Sequence, residues 1–379
     1  MPTASRSLKC DSAINHGDSP QFLQAGMRSM SSLKPDHAAM CGVMRETQRG
    51  RRIVWALLVV TLGSLLMACL SGSVSVSVSE LWSALPEVFS GQPASLAASL
   101  LDLRLSRALT GFITGASLAM AGVMMQALLR NPLADPYVLG ISGGAAVGAL
   151  LMILLYGVFW MVDLAAFGGA LAVSALLFML AYRDFRGSGS QDGNVPTLLL
   201  TGVIVAAGCG AMITLVLSVA PDSRLRSMVF WMIGDLSNTS LRAVPWVVGV
   251  SAFLLALKHA RAINIAAMHA DNAATLGVNI GRLRRVLFFC SALLTASAVS
   301  TAGSIGFVGL IMPHACRFVV GSDHRLLIPA AALAGGGFLV LADTLARTIV
   351  APQQLPVGVI TALIGVPVFL FQLHRMRRR

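Results

Sequence analysis

Ten separate apolar stretches run through this chain of 379 residues, in which only 12% of the residues are charged. A helix of about 20 apolar residues spans the hydrocarbon core of a bilayer. Because lipid offers the backbone no hydrogen-bond partners, stretches of this kind cross it as helices rather than as separate strands. We therefore predict an all-α integral membrane protein with ten transmembrane helices, whose function takes place in or across a membrane.

The predicted spans leave two long connections, at 71–104 and 260–282. The eighth span is the shortest and is expected to be tilted, broken or only partly inserted. The spans are 53–70, 105–129, 137–157, 162–182, 196–220, 241–259, 283–303, 307–320, 326–346 and 357–373.

The distribution of basic residues predicts the orientation. If the N-terminus lies inside, 22 of the 28 lysines and arginines fall in inner segments and 6 in outer ones. Because an excess of basic residues marks the cytoplasmic side, we predict that both termini are cytoplasmic. The outer basic residues are Arg104, Arg107, Arg224, Arg226, Arg242 and Arg347.

The first fifty residues differ from the rest because they are polar, rich in serine and without apolar periodicity. This composition predicts a disordered cytoplasmic tail at 1–50 and a transmembrane domain at 51–379. The formal net charge of +12 could indicate a nucleic-acid partner. The basic residues sit at the ends of the apolar runs, however, so we expect contact with membrane lipid and not with nucleic acid.

The two long connections differ in character. The outer one, 71–104, alternates valine with serine at Val74, Val76 and Val78. One short strand is not stable alone, so a surface element resting on the membrane is expected there. The inner one, 260–282, is apolar enough to form short helices, which either pack on their own bundle or provide a docking surface.

Small residues recur in several spans, and Gly111 and Gly115 form a GxxxG pattern. Small residues let helix backbones approach closely. They are expected either to pack the bundle tightly or to line a conduit for a bulky solute.

Motifs of enzymatic chemistry are missing from the sequence. It has no HExxH, no GxSxG and no paired carboxylates at helical spacing within a span, so we predict no catalytic residue and no enzyme. The scattered cysteines and histidines indicate neither a disulfide framework nor a metal site, and no cofactor is expected. None of the three lysines follows a glycine, so no Walker A loop can form. Any ATP hydrolysis must therefore come from another subunit.

Most acidic residues lie at the ends of the spans, and Asp343 is the deepest. It lies four residues before Arg347, so the two can pair along one face of a helix. Ion-coupled transporters usually carry carboxylates at mid-membrane. The pairing of Asp343 therefore favours a passive path, driven by a partner, over coupling to an ion gradient.

Seven sequence strings follow one another in order between residues 53 and 373. They are RLSR at 104–107, RNPLADP at 130–136, LGISGG at 139–144, FWMIGD at 230–235, GFVGLIMPH at 306–314, ADTLAR at 342–347 and LPVGVITALIG at 355–365. Together they resemble the permease subunits of bacterial ABC importers for iron-siderophore, haem or cobalamin, the FecCD/BtuC-like family.

The resemblance implies a type II ABC importer permease architecture in the bacterial inner (cytoplasmic) membrane. Such permeases work as homodimers with two cytoplasmic ATPase subunits, and a periplasmic substrate-binding protein delivers the chelate. The translocation path runs along the dimer interface. On this basis we expect the chain to translocate a ferric siderophore or cobalamin, with haem import as the alternative. An ion-coupled secondary transporter and a membrane-embedded enzyme or scaffold are rival interpretations.

The resemblance also assigns roles to particular residues. Outer arginines of the family receive acidic residues of the binding protein, and arginine binds carboxylates bidentately. Alternatively, the first two arginines anchor lipid headgroups and the third serves only its pair with Asp343. The predicted docking residues are Arg104, Arg107 and Arg347; the predicted ATPase-coupling residues are Met268, Ala274, Leu276 and Gly277; and the predicted cytoplasmic gate is Asn194, Val195, Pro196 and Thr197.

Two positions depart from the pattern of the family. The gate of a cobalamin permease has small hydroxylated residues where this chain has Val195 and Pro196, and proline stiffens the entry into a helix. Relatives often carry Glu-Leu-Pro at the start of the tenth span, where this chain has Gln354. The resemblance therefore implies neither how the gate closes in this chain nor a role for an acid near Arg347.

Overall fold

The computed structural model describes residues 37–72, 74, 77–90, 94–182, 194–237, 243–268 and 275–377. Within these residues the chain forms twelve α-helices and one short 3-10 helix at Pro136–Leu139, and no strand. The helices are α1 His37–Leu70, α2 Val78–Phe89, α3 Leu96–Leu128, α4 Ile141–Leu155, α5 Phe159–Leu180, α6 Asn194–Val219, α7 Asp222–Ile233, α8 Ala243–Met268, α9 Ile280–Ala302, α10 Val308–Val320, α11 His324–Thr348 and α12 Val357–Arg377.

All ten predicted spans correspond to helices. Eight of the described helices are long and apolar enough to cross a membrane, and α4 and α10 are shorter apolar helices of 15 and 13 residues. The all-helical fold is therefore confirmed, while the count of ten crossings stays a prediction.

The chain divides into two units, Met1–Arg49 and Gly50–Arg379, and the features below belong to the second. Most of the predicted tail lies outside the described residues, and its last part is the beginning of α1, which starts at His37. Disorder of the tail stays a prediction.

Helix α3 is the buried centre of the second unit, and glycines bring its neighbours into backbone contact. A Cβ atom built on Gly115 would lie 2.3 Å from the carbonyl oxygen of Gly335 in α11, and one on Gly122 would lie 1.8 Å from that of Gly309 in α10. Such distances exclude any side chain, as expected where small residues let membrane helices approach closely. Tight packing, the first of the two interpretations of the small residues, is confirmed for Gly115 and Gly122.

The shortness of the eighth span has a local cause. Residues 303–306 between α9 and α10 are not helical, and Phe307 takes a left-handed backbone conformation before α10 begins. The backbone N–H of Ile305 in this segment donates to the hydroxyl of Tyr137 at 3.2 Å. A side chain thus satisfies a buried backbone donor where no helix does so.

The outer connection contains α2. Its first turn is held by a capping box in which the hydroxyl of Ser77 accepts from the backbone of Glu80 and the Glu80 carboxylate accepts from the backbone of Ser77. Leu81 and Ala84 of α2 pack on the first two turns of α3. The predicted surface element is therefore an amphipathic helix, and Val78, part of the valine alternation, is its first residue.

Candidate functional site

Helices α3 and α11 and the connection that follows α11 bring a group of polar side chains together at one end of the bundle. We call Arg104, Arg107, Asp343, Arg347 and Gln354 the arginine cluster. Arg107 of α3 donates from Nε to both carboxylate oxygens of Asp343 in α11 at 3.1 Å, and from Nη2 to Oδ1 at 2.8 Å. Its Nη1 donates to Oε1 of Gln354 at 2.8 Å.

The predicted pair of Asp343 and Arg347 is confirmed. The Arg347 Nε lies 3.1 Å from Oδ2 of Asp343, as an ion pair rather than a hydrogen bond. The contact of Asp343 with Arg107 was not predicted from the sequence. The buried carboxylate is therefore held between two guanidinium groups from two helices.

Arg104 has a different environment from the other two arginines. It is buried, and its guanidinium donates to the backbone carbonyls of Cys69, Leu70 and Val74. Cys69 and Leu70 end α1, where the last carbonyls of a helix have no intrahelical partner. Arg104 thus caps α1 from the side of α3.

The cluster carries more positive than negative charge. Its three guanidinium groups and one carboxylate leave a formal charge of +2, and Gln354 adds none. Arg347 is 5% exposed and Arg104 is 6% exposed, whereas the Arg107 side chain is 13% exposed. Arg107 is therefore the most accessible of the three guanidinium groups.

A cavity of about 500 Å³ opens between the ends of α4, α5, α7 and α9. Arg224 lines it and donates to the carbonyl of Ile153 at 2.8 Å, so it caps the last turn of α4. Arg226, also in the lining, has its guanidinium carbon 5.4 Å from the centre of the Phe230 ring. These two predicted outer arginines thus serve a helix end and a cation–π contact.

The opposite end of the bundle carries the predicted coupling residues. Met268 is the last residue of α8, and Ala274 lies outside the described residues. Leu276 is 67% exposed, and Gly277 has a φ of +78° with open space around its α-carbon. The described part of this segment therefore presents an apolar side chain on a turn that favours glycine.

The predicted gate forms the first turn of α6 rather than a segment before the helix. The helix begins at Asn194, so Pro196 lies in its first turn, where the missing N–H costs no hydrogen bond. The side chains of Asn194, Val195 and Pro196 lie outside the described residues. Thr197 is exposed, and its carbonyl accepts from the Thr201 hydroxyl at 2.8 Å.

Acidic and metal-ligating residues form no metal site in the part of the chain that the structure describes. The described cysteines Cys69, Cys209, Cys290 and Cys316 are free thiols. Burial raises the pKa of Asp135, in the connection between α3 and α4, to about 6, although its carboxylate accepts from the backbone of Tyr137.

Comparison with known proteins places this architecture among transport permeases. The model of the FecCD transport family matches residues 57–375. A cobalamin import system permease protein, BtuC, of Halobacterium salinarum is 44% identical over 291 residues, which cover 75% of this chain and 75% of the relative. The hemin transport system permease protein HmuU of Yersinia pestis is 39% identical over 287 residues, which cover 74% of this chain and 84% of the relative.

A solved structure described as an inward-facing conformation of a metal-chelate type ABC transporter has the same fold. It superposes with a TM-score of 0.73 at 26% identity, over 86% of this chain and 99% of the other. The helical bundle is thus that of an ABC importer permease. Because the family model matches most of the chain in sequence and the bundle matches in structure, the chain belongs to the FecCD transport family.

Proposed function

We propose that the chain is the membrane-spanning subunit of an ATP-driven importer for a metal chelate, a ferric siderophore or cobalamin. The family match over residues 57–375 carries this proposal, and relatives named for cobalamin and hemin transport support the chemical class of the cargo. Hemin remains the alternative cargo. The chain contributes the path, and a separate partner supplies the energy.

The proposed assembly is a homodimer with two cytoplasmic ATPase subunits and a periplasmic binding protein, in the bacterial inner membrane. In this mechanism the loaded binding protein docks, the ATPases close on nucleotide, and the path opens alternately to the two sides. The confinement of Asp343 between Arg107 and Arg347 supports an externally driven path. Ion-coupled transporters usually carry carboxylates at mid-membrane, and this carboxylate is already paired with two guanidinium groups.

Transport by purified components tests the proposal. The chain is reconstituted in liposomes with and without its ATPase, and the binding protein with its co-purified ligand is supplied outside. We expect uptake that requires both the ATPase and ATP. Uptake driven by an ion gradient in liposomes that contain the chain alone would establish a secondary transporter instead. Absorbance and mass of the ligand from the binding protein identify the chelate.

The docking role belongs mainly to Arg107 in this proposal. Arg104 is committed to the carbonyls that end α1, and Arg347 is buried beside Asp343. Arg107 is the most exposed of the three and adjoins the neutral Gln354, so its guanidinium can donate to a further carboxylate.

The first prediction follows from this difference in exposure. Arg107→Gln removes the most accessible of the three guanidinium groups, and we expect affinity for the binding protein to fall about tenfold or more, as for a lost charged hydrogen bond of ~1.5–3 kcal/mol. Surface plasmon resonance measures this affinity on the complex of the chain and its ATPase in nanodiscs. The matched variant Arg104→Gln is expected to lower thermal stability with a smaller change in docking. Equal docking losses in both variants, or none in Arg107→Gln, would contradict the assignment.

The second prediction concerns ATPase coupling. Leu276→Arg places a charge on an exposed apolar position in the proposed coupling segment. We expect the variant to fold normally and to lose co-purification with the ATPase, because a buried charge at an interface is costly. Leu133→Arg, on the connection after α3, is the control and should retain the ATPase. A Leu276→Arg variant that co-purifies normally would remove this residue from the interface. The first turn of α6 remains the proposed gate.

A further inference from the structure

The end of α8 is fastened to the turn between α10 and α11 by one side chain. The Asn264 amide donates from Nδ2 to Oδ1 of Asp323 at 2.7 Å. Its Oδ1 accepts from the backbone N–H of His324 at 2.9 Å, and lies 2.7 Å from Nδ1 of the same imidazole. We call Asn264, Asp323 and His324 the α8 clamp.

The contacts of the clamp fix its chemistry. Because Asn264 Oδ1 can only accept, Nδ1 of His324 carries the proton, and the amide orientation follows from the Asp323 carboxylate. His324 is 3% exposed, and its Nε2 has no hydrogen-bond partner among the described residues. Among the described residues, Asn264 alone is hydrogen-bonded to the imidazole.

The clamp lies beside the proposed coupling segment. Asn264 is four residues before Met268, where α8 ends and the connection toward Leu276 begins. A second contact fastens the same turn, since Arg130 donates to the carbonyl of Ala266 at 3.1 Å. A displacement of the connection between α8 and α9 would thus reach the contact at Ala266 first and the clamp directly after it.

Helix α11 links the clamp to the arginine cluster. His324 is its first residue and Asp343 lies 19 residues later, about 28 Å along the axis at 1.5 Å per residue. Over this length α11 contacts α3 through the backbones of Gly335 and Gly115. At the far end Asp343 is bonded to Arg107 of α3. Two ends of the molecule are therefore joined by one packed pair of helices.

We propose that Asn264 is a positioning residue that passes movement of the coupling segment to α11, and through α11 to the arginine cluster. This proposal rests on the proposed function, because it presumes an ATPase at one end and a binding protein at the other. Packed helix interfaces shift between discrete arrangements rather than deform continuously, so a bonded turn can move the whole helix.

The test uses the full complex with its ATPase and its ligand-loaded binding protein. Asn264→Leu keeps the volume of the side chain and removes its hydrogen bonds. We expect the stimulation of ATP hydrolysis by the loaded binding protein to fall at least about fivefold, within the usual range of coupling between sites. Basal ATP hydrolysis and ATPase association are expected to stay unchanged. Ser251→Ala, which removes one exposed hydrogen bond earlier in α8, is the control and should keep full stimulation.

Exchanging the side chains of Asn264 and Asp323 distinguishes a loss of stimulation from a loss of thermal stability. Asn264→Asp alone faces the Asp323 carboxylate with another carboxylate and should lose stimulation. Asp323→Asn added to it restores an amide–carboxylate hydrogen bond in the opposite sense, and asparagine still caps α11. We expect the double variant to regain most of the stimulation, with melting temperature recorded for each variant. Rescue should be visible even if Asn264→Leu does not fold.

Full stimulation in Asn264→Leu would overturn the proposal, as would a loss that the double variant does not rescue or that follows melting temperature across the set. Failure of the proposed function has a different signature. In that case the wild-type chain neither retains an ATPase nor shows stimulation, whereas failure of the clamp alone leaves the wild type stimulated.

Discussion

Asp343 shows how a single side chain organises one end of the bundle. It is 2% exposed and accepts hydrogen bonds from Arg107 while pairing with Arg347. A charge in this environment is tolerated only when it is paired and hydrogen-bonded. Removing the carboxylate would leave two guanidinium groups close together with no compensating charge.

The third prediction is therefore a large loss of stability in Asp343→Ala. Breaking a buried ion pair by removing one partner costs about 3–5 kcal/mol, and the melting temperature in detergent should fall accordingly. Gln354→Ala is the control, since it removes one exposed hydrogen bond and should cost about 1 kcal/mol. Similar melting temperatures for Asp343→Ala and wild type would show that the carboxylate is not needed to hold α3 and α11.

Only the local half of this arrangement could be predicted from the sequence. The four-residue spacing of Asp343 and Arg347 indicates a pair on one helix face. Arg107 is separated from Asp343 by 236 residues and from Gln354 by 247, and no local pattern joins such distant positions. Asn264 of the α8 clamp, 60 residues from His324, was missed for the same reason.

Among elements, α3 shows what glycine contributes. Its backbone contacts α10 at Gly122 and α11 at Gly115 with no space for a β-carbon. Without a hydrophobic driving force between helices in lipid, such close packing is a main source of their association.

The fourth prediction compares two glycines in different surroundings. Gly122→Ala forces α3 and α10 apart, and overpacking costs about 1–3 kcal/mol or more. Gly63→Ala in α1 meets nothing within 4 Å and should be neutral or stabilise by about 0.5–1 kcal/mol, because alanine favours the helix. Thermal unfolding in detergent measures both. A stable Gly122→Ala variant would mean that the contact between α3 and α10 is looser than described.

The elements themselves were predictable to different degrees. Length and apolarity identify a spanning helix, so all ten predicted runs are helical, and eight of the described helices are long enough to cross a membrane. Helices α2 and α7 are 12 residues each. The first was predicted only as a surface element and the second was missed, because short segments with polar residues resemble loops. The break before α10 depends on the hydroxyl of Tyr137, which is distant in sequence and therefore invisible to a window of hydropathy.

At the scale of the whole molecule, the orientation is the property that most affects the proposed function. The excess of basic residues predicts cytoplasmic termini and places the arginine cluster outside. Every partner role proposed above depends on which end of the bundle faces the periplasm.

The fifth prediction tests that orientation with reporters. Green fluorescent protein fused after the C-terminus should fluoresce, because it folds in the cytoplasm. Alkaline phosphatase inserted between Phe89 and Leu96 should be active, because it requires the periplasm. Expression is checked by immunoblot for both fusions. The opposite pair of signals would reverse the orientation and remove the docking role of Arg107.

Gln354 has a consequence for how quickly a partner is captured. Since this amide leaves the two surplus positive charges of the cluster uncompensated, the field there reaches roughly a Debye length, about 10 Å at 0.1 M ionic strength and about 30 Å at 0.01 M. Electrostatic attraction of an acidic protein therefore acts over a longer range at low ionic strength than at high ionic strength.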